Sequence, residues 1–125
     1  MSAPGHAHAI SIEKNSKRIK VIFNGTVIAD TQKALVLKEG PIPPVNYIPR
    51  EDVQMSYLQR TDHATHCPFK GDASYFSVSV DGKTEANAVW TYEAPIEAVA
   101  PIKDFVVFYP EKMDAIEEWP VVGLP

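Results

Sequence analysis

One cysteine among 125 residues excludes a disulfide scaffold, and without a Cys-x-x-Cys pair it also excludes the common structural zinc sites. Cys67 stands alone. No apolar run approaches the ~18 residues of a membrane helix, the best being Phe105-Val106-Val107-Phe108-Tyr109. Positive charge is also short: 12 Lys and Arg against 16 Asp and Glu give a formal charge of -4. A general nucleic-acid binder, which must neutralise phosphates, is thereby disfavoured. Neither Gly-x-x-x-x-Gly-Lys-Ser/Thr nor Gly-x-Gly-x-x-Gly occurs, so no phosphate-cradling loop is legible. Asp30, Asp52, Asp62 and Asp72 are too scattered for a carboxylate pair or a two-metal site. No basic segment followed by an apolar stretch opens the sequence, and a cytoplasmic location is the default expectation.

Proline, by contrast, is plentiful: eleven of them argue against a bundle of long helices, because each removes a backbone donor and breaks a helix interior. Length fits a single domain with one core. Residues 1–12 lack strand or helix periodicity and read as a flexible leader, leaving 13–125 as the globular part. Arg18-Ile19-Lys20-Val21-Ile22-Phe23 puts Ile19, Val21 and Phe23 on one strand face. Asn24-Gly25 then signals a two-residue hairpin into Thr26-Val27-Ile28-Ala29-Asp30. Ala34-Leu35-Val36-Leu37 suits a short buried strand, and the proline tract from Gly40 to Pro49 must be extended.

After Pro49, Arg50-Glu51-Asp52-Val53 opens a short helix or, alternatively, leads to a strand through Gln54 and Leu58. Residues 61–71 read as a loop. Ala73 to Val80 alternates, Asp81-Gly82 turns the chain, and Ala88-Val89-Trp90-Thr91-Tyr92 supplies a partner strand with Trp90 and Tyr92 on one side. A last strand is expected over 104–109. Met113, Ile116 and Trp119, three apart, suggest a terminal helix over 110–119. The expected fold is mostly β: antiparallel strands in a rolled sheet or small sandwich, with one or two short helices.

Chemistry-bearing groups are densest in Thr65-His66-Cys67-Pro68-Phe69-Lys70-Gly71. Loops hold such groups on rigid scaffolds, and a neighbouring Lys70 or charged His66 would stabilise a Cys67 thiolate. A free cysteine beside proline is more often a small buried apolar residue. In an extended segment His66 points away from Cys67, which leaves His63 or a distant side chain as the base. His6-x-His8 is a weak chelator at best, and no metal or cofactor is expected. Arg50 can clamp a carboxylate or phosphate, or simply pair with Asp52. Tyr47, Tyr75, Trp90 and Tyr92 can line a pocket or fill the core.

The ordered segments Phe23-Asn24-Gly25, Ile28-Ala29-Asp30, Ala34 to Glu39, Tyr47-Ile48-Pro49-Arg50-Glu51-Asp52-Val53, Thr65-x-Cys67-Pro68-Phe69-Lys70-Gly71, Ala88-x-Trp90-x-Tyr92 and Phe105 to Tyr109 closely resemble domain of unknown function family 427. The resemblance covers about residues 18–110. It implies a small bacterial-type, largely β domain and raises the expectation that Tyr47, Arg50, Asp52, Thr65, Cys67, Lys70, Trp90 and Tyr92 meet around one pocket. The family has also carried a nucleotidyltransferase label. That chemistry calls for a Gly-Ser segment followed by Asp-x-Asp to hold two magnesium ions, and this sequence has neither.

The leading functional expectation is a site for a small polar or anionic metabolite near the Cys-Pro-Phe-Lys-Gly loop, with Arg50 and Lys70 supplying charge and Tyr47, Trp90 and Tyr92 the walls. A thiol-dependent enzyme using Cys67, with Thr65 hydrogen-bonding the substrate, is the first alternative. An interaction module, such as a homodimer formed through the proline tract or an open strand edge, is the second.

Overall fold

Asn24 and Gly25 have φ of 48° and 77°, and Asp81 and Gly82 have 50° and 85°. These left-handed pairs match the twist of hairpin strands, which is why both dipeptides turn the chain where the sequence places them. The computed structural model describes residues 9–120. Within it run β1 (Ile10–Lys14), β2 (Arg18–Phe23), β3 (Thr26–Thr31), β4 (Leu35–Glu39), β5 (Ile42–Tyr47), β6 (Leu58–Cys67), β7 (Gly71–Val80), β8 (Lys83–Tyr92), β9 (Val106–Phe108) and β10 (Ala115–Trp119). The fold is mostly β and wholly antiparallel, in sheets ordered β1-β4-β5, β10-β2-β3 and β6-β7-β8-β9. Among the described residues no helix is long and apolar enough to cross a membrane.

The four-stranded sheet is covered on both faces over β7–β9, and alternation along these strands divides the core in two. Phe76, Val78 and Val80 of β7, with Val89, Val106 and Phe108, pack on Ile19, Val21, Phe23 and Ile28 of β2 and β3. Ala73 and Tyr75, with Tyr92 and Val107, turn the other way onto Leu37 of β4 and Tyr47 of β5. The β7–β8 pairing shifts register between Phe76 and Val78, beside the positive φ of Asn87, as at a β-bulge. Ile48, the residue after β5, ties the layers together through its antiparallel bridge to Val106 of β9.

Three expectations are corrected. The segment 61–71 is no loop over most of its length: β6 occupies it through Cys67, paired to β7 from Leu58↔Val78 to Cys67↔Gly71. Its polarity belongs to an edge strand exposed on both faces, where alternation is not required. The tail is no helix either: after a 3-10 turn at Pro110–Lys112, β10 pairs with β2, and pairing through Ile116↔Val21 decides the conformation over the three-residue spacing. The segment after Pro49 forms two 3-10 turns, Arg50–Asp52 and Met55–Tyr57, yet Val53, Tyr57 and Leu58 still reach the same core. Ile10–Ile12 of the expected leader lie in β1, whereas residues 1–8, His6 and His8 included, fall outside the described residues.

Candidate functional site

Register brings Tyr75 opposite Trp90 and Ala73 opposite Tyr92, so β7 and β8 present one aromatic face toward β4 and β5. Between them lies a cavity of ≈ 350 Å³. Tyr75, Trp90, Tyr92 and Tyr109 form its wall on the four-stranded sheet, and Leu37, Val45 and Tyr47 face them from β4 and β5. Ile42, 47% exposed, stands at the rim beside Glu39 and Lys70.

The polar groups of the cavity are already organised. Lys70 Nζ donates to Glu39 Oε1 at 2.6 Å, and the two side chains are only 12% and 9% exposed. This pair fastens the β4–β5 hairpin to the turn between β6 and β7. That turn closes through Lys70 N–H to the Cys67 carbonyl at 3.1 Å, and Ile96 N–H donates to the Lys70 carbonyl at 3.0 Å. Gly71 is required here, since its φ is 118° and a Cβ would lie 3.3 Å from the Ala94 carbonyl oxygen.

The phenols form a second set. Trp90 donates its indole N–H to Tyr47, Tyr109 hydrogen-bonds Tyr75, and the Tyr75 hydroxyl lies 3.0 Å from Thr65 Oγ1. Trp90 and Tyr109 rings lie 4.7 Å apart, and His63 meets Tyr75 edge-on at 4.4 Å. Burial pushes the Tyr47 phenol up to about 12 against the pull of the Trp90 hydrogen bond, with Glu39 and Cys67 nearby adding to the rise. Burial, then its hydrogen bond with Tyr75, lifts Tyr109 to about 12, and burial likewise raises Tyr92. These three walls therefore stay as neutral O–H groups at physiological pH.

Of the residues expected to meet, Tyr47, Lys70, Trp90 and Tyr92 line the cavity, and Thr65 reaches it through Tyr75. Cys67 is half-buried against the same aromatic cluster. Arg50 and Asp52 do not join them. The Arg50 guanidinium lies on the opposite face of the sheet, over the Phe76 ring, and donates to Thr91 Oγ1 at 3.1 Å, Glu93 at 3.0 Å and the Asp104 carbonyl at 2.7 Å. Arg60 shares Glu93 and the Phe76 ring with it. Asp52 accepts from Thr31 Oγ1 at 2.7 Å beside β3. An Arg50–Lys70 anion clamp is thus divided by the sheet itself.

Sequence reasoning missed Glu39 and Tyr109. An acid ending the apolar run of β4 was the available signal for Glu39. Tyr109 ends a run that reads as core. His66 pairs with Asp72 at 2.6 Å, so Lys70 and His66, the groups proposed to activate Cys67, each have a carboxylate partner. Among the described residues no three of His, Cys, Asp and Glu gather as a metal-holding group.

A family described as Domain of unknown function (DUF427) matches residues 11–118. No curated protein matches the chain.

Proposed function

We propose that this chain, which belongs to the DUF427 family, binds a small, flat, uncharged polar molecule in the aromatic cavity between its sheets. The observation that carries this reading is the lining: four tyrosines and Trp90 surround a space whose single cation among the described residues, Lys70, is already paired with Glu39. Aromatic walls favour a planar ligand, and protonated phenols favour carbonyl or ring-nitrogen acceptors. An anion would have to compete with Glu39 for Lys70 in a site of low exposure, where separating a pair is costly. The polar branch of the original expectation is therefore preferred over the anionic one.

Thiol chemistry at Cys67 has weaker support, because Lys70 and His66 are engaged elsewhere. A Trp119→Phe variant leaves Trp90 as the one tryptophan, so its fluorescence reports on the cavity. Benzamide and nicotinamide should quench it and raise the melting temperature, while citrate and glucose 6-phosphate should do neither. Stabilisation by the anions alone would restore the anionic reading, and silence from all four would sink the binding site as described.

A further inference from the structure

A second cavity, ≈ 320 Å³, adjoins the first, and Trp90 and Val45 stand in the walls of both. Its character is different. Beyond the shared pair it is lined by Ile48, Val107 and Phe108 of the bridged β5–β9 region, by Ile19 and Ile116 of the outer sheet, and by prolines; Asn46 is its one polar side chain. Asn46 Oδ1 is itself occupied, accepting from Asn15 Nδ2 at 2.8 Å. The geometry arises from β5. Tyr47 lines the phenol-lined space, Pro44, Asn46 and the following Ile48 line the apolar one, and Val45 lines both, so β5 and the residue after it form the rail between them.

Resting on the reading above, we infer that the ligand is bipartite: a flat polar head against the phenols and an unbranched alkyl substituent that passes Trp90 into the apolar cavity. An apolar space beside a polar one selects a molecule with both properties, because water in the apolar space finds few partners and a CH₂ group loses nothing there. A cavity of about half this size, ~150 Å³, holds a benzene ring, so the space admits a chain of about six carbons or more. Glu39, Lys70 and the tyrosines then orient the head, and the length of the tail sets selectivity.

The test uses the full chain carrying Trp119→Phe and a series of probes: benzamide and its 4-ethyl, 4-butyl, 4-hexyl and 4-octyl derivatives. Each carbon buried should tighten Kd by about 3- to 4-fold, which is ~0.8 kcal/mol per CH₂, until the cavity is full. Ile116→Phe, which narrows the apolar cavity without adding a second tryptophan, should flatten the series while leaving benzamide itself unchanged. Ile116→Ala should move the optimum to a longer chain, which keeps the test readable where the phenylalanine variant folds poorly. If benzamide binds and the alkyl series stays within 2-fold of it, the tail inference fails and the head site stands. An unaltered series in both variants would likewise place the tail elsewhere. If no probe, benzamide included, perturbs Trp90, the head reading fails and this inference falls with it.

Discussion

The two faces of the β6–β9 sheet are built by the same alternation yet reach different ends. On one, Phe23, Ile19, Val21, Ile28, Val78 and Val89 are wholly buried, and aliphatic chains fill the space against β2 and β3. On the other, the large residues are tyrosines and a tryptophan, whose rigid rings and polar tips leave a hollow between them. Branched aliphatic chains interdigitate to close packing, whereas rings that must also satisfy hydroxyl groups do so less completely. One face therefore serves chiefly stability, with the apolar cavity confined to its edge at Ile19, Ile48 and Phe108, and the other opens on the phenol-lined cavity. Charge follows the same division: Arg50, Arg60 and Glu93 form a closed network on the filled face, and Lys70 and Glu39 lie at the hollow.

The contrast is broken most forcefully by truncation. Phe23→Ala should cost about 3–5 kcal/mol in urea denaturation, as expected for a large side chain lost from a filled core. Tyr109→Phe on the hollow side should cost about 1 kcal/mol or less, since only its hydrogen bond to Tyr75 is lost. Equal costs would mean that the Tyr109 hydroxyl holds the aromatic face together as strongly as the Phe23 ring holds the filled one.

Next in size is the ion pair at the cavity. Lys70→Met should destabilise by about 3 kcal/mol by leaving Glu39 poorly exposed without its ammonium, while Lys70→Met with Glu39→Leu should recover most of that loss. A double variant as unstable as the single one would show that the pair matters for something other than charge balance.

The smallest effect is on pH dependence. Burial alone would raise the Glu93 carboxyl, but hydrogen bonds from Arg60 and Arg50 outweigh it and hold it below its ordinary 4.5. A depressed acid contributes stability above its unfolded pKa and loses it as pH falls through the folded value. Wild type should therefore lose stability more steeply than Glu93→Gln as the pH is lowered below about 4.5, measured by thermal melts from pH 7 to pH 3. Parallel curves would remove the network from the account of the filled face.

Much of the filled face was legible. Ile19, Val21 and Phe23 alternate toward a common core, and Asn24-Gly25 closes their hairpin, because turn chemistry and strand period act over a few residues. β6 and β10 were not legible. Thr61, Asp62, His63 and His66 show no apolar period in an exposed edge strand, and Ile116 acquires its role only by pairing opposite Val21. For the hollow, the structure gathers Tyr47, Lys70, Trp90 and Tyr92 of the residues expected to meet and sets Arg50 and Asp52 apart. Arg50 lies three residues after Tyr47, with the 3-10 turn between Arg50 and Asp52 carrying the chain around the edge of the sheet.

Residue type and local spacing by themselves determined a mostly β, antiparallel chain, its two tight hairpins and its family, since each depends on turn dihedrals, strand alternation or motif order. Tertiary structure alone decided which polar groups share a space. A side chain's face depends on the register of its strand and on the layer that covers it, and both are set by partners distant in the chain: Glu39 reaches Lys70, while Arg50 is turned to Thr91 and Glu93 on the far side of the same sheet.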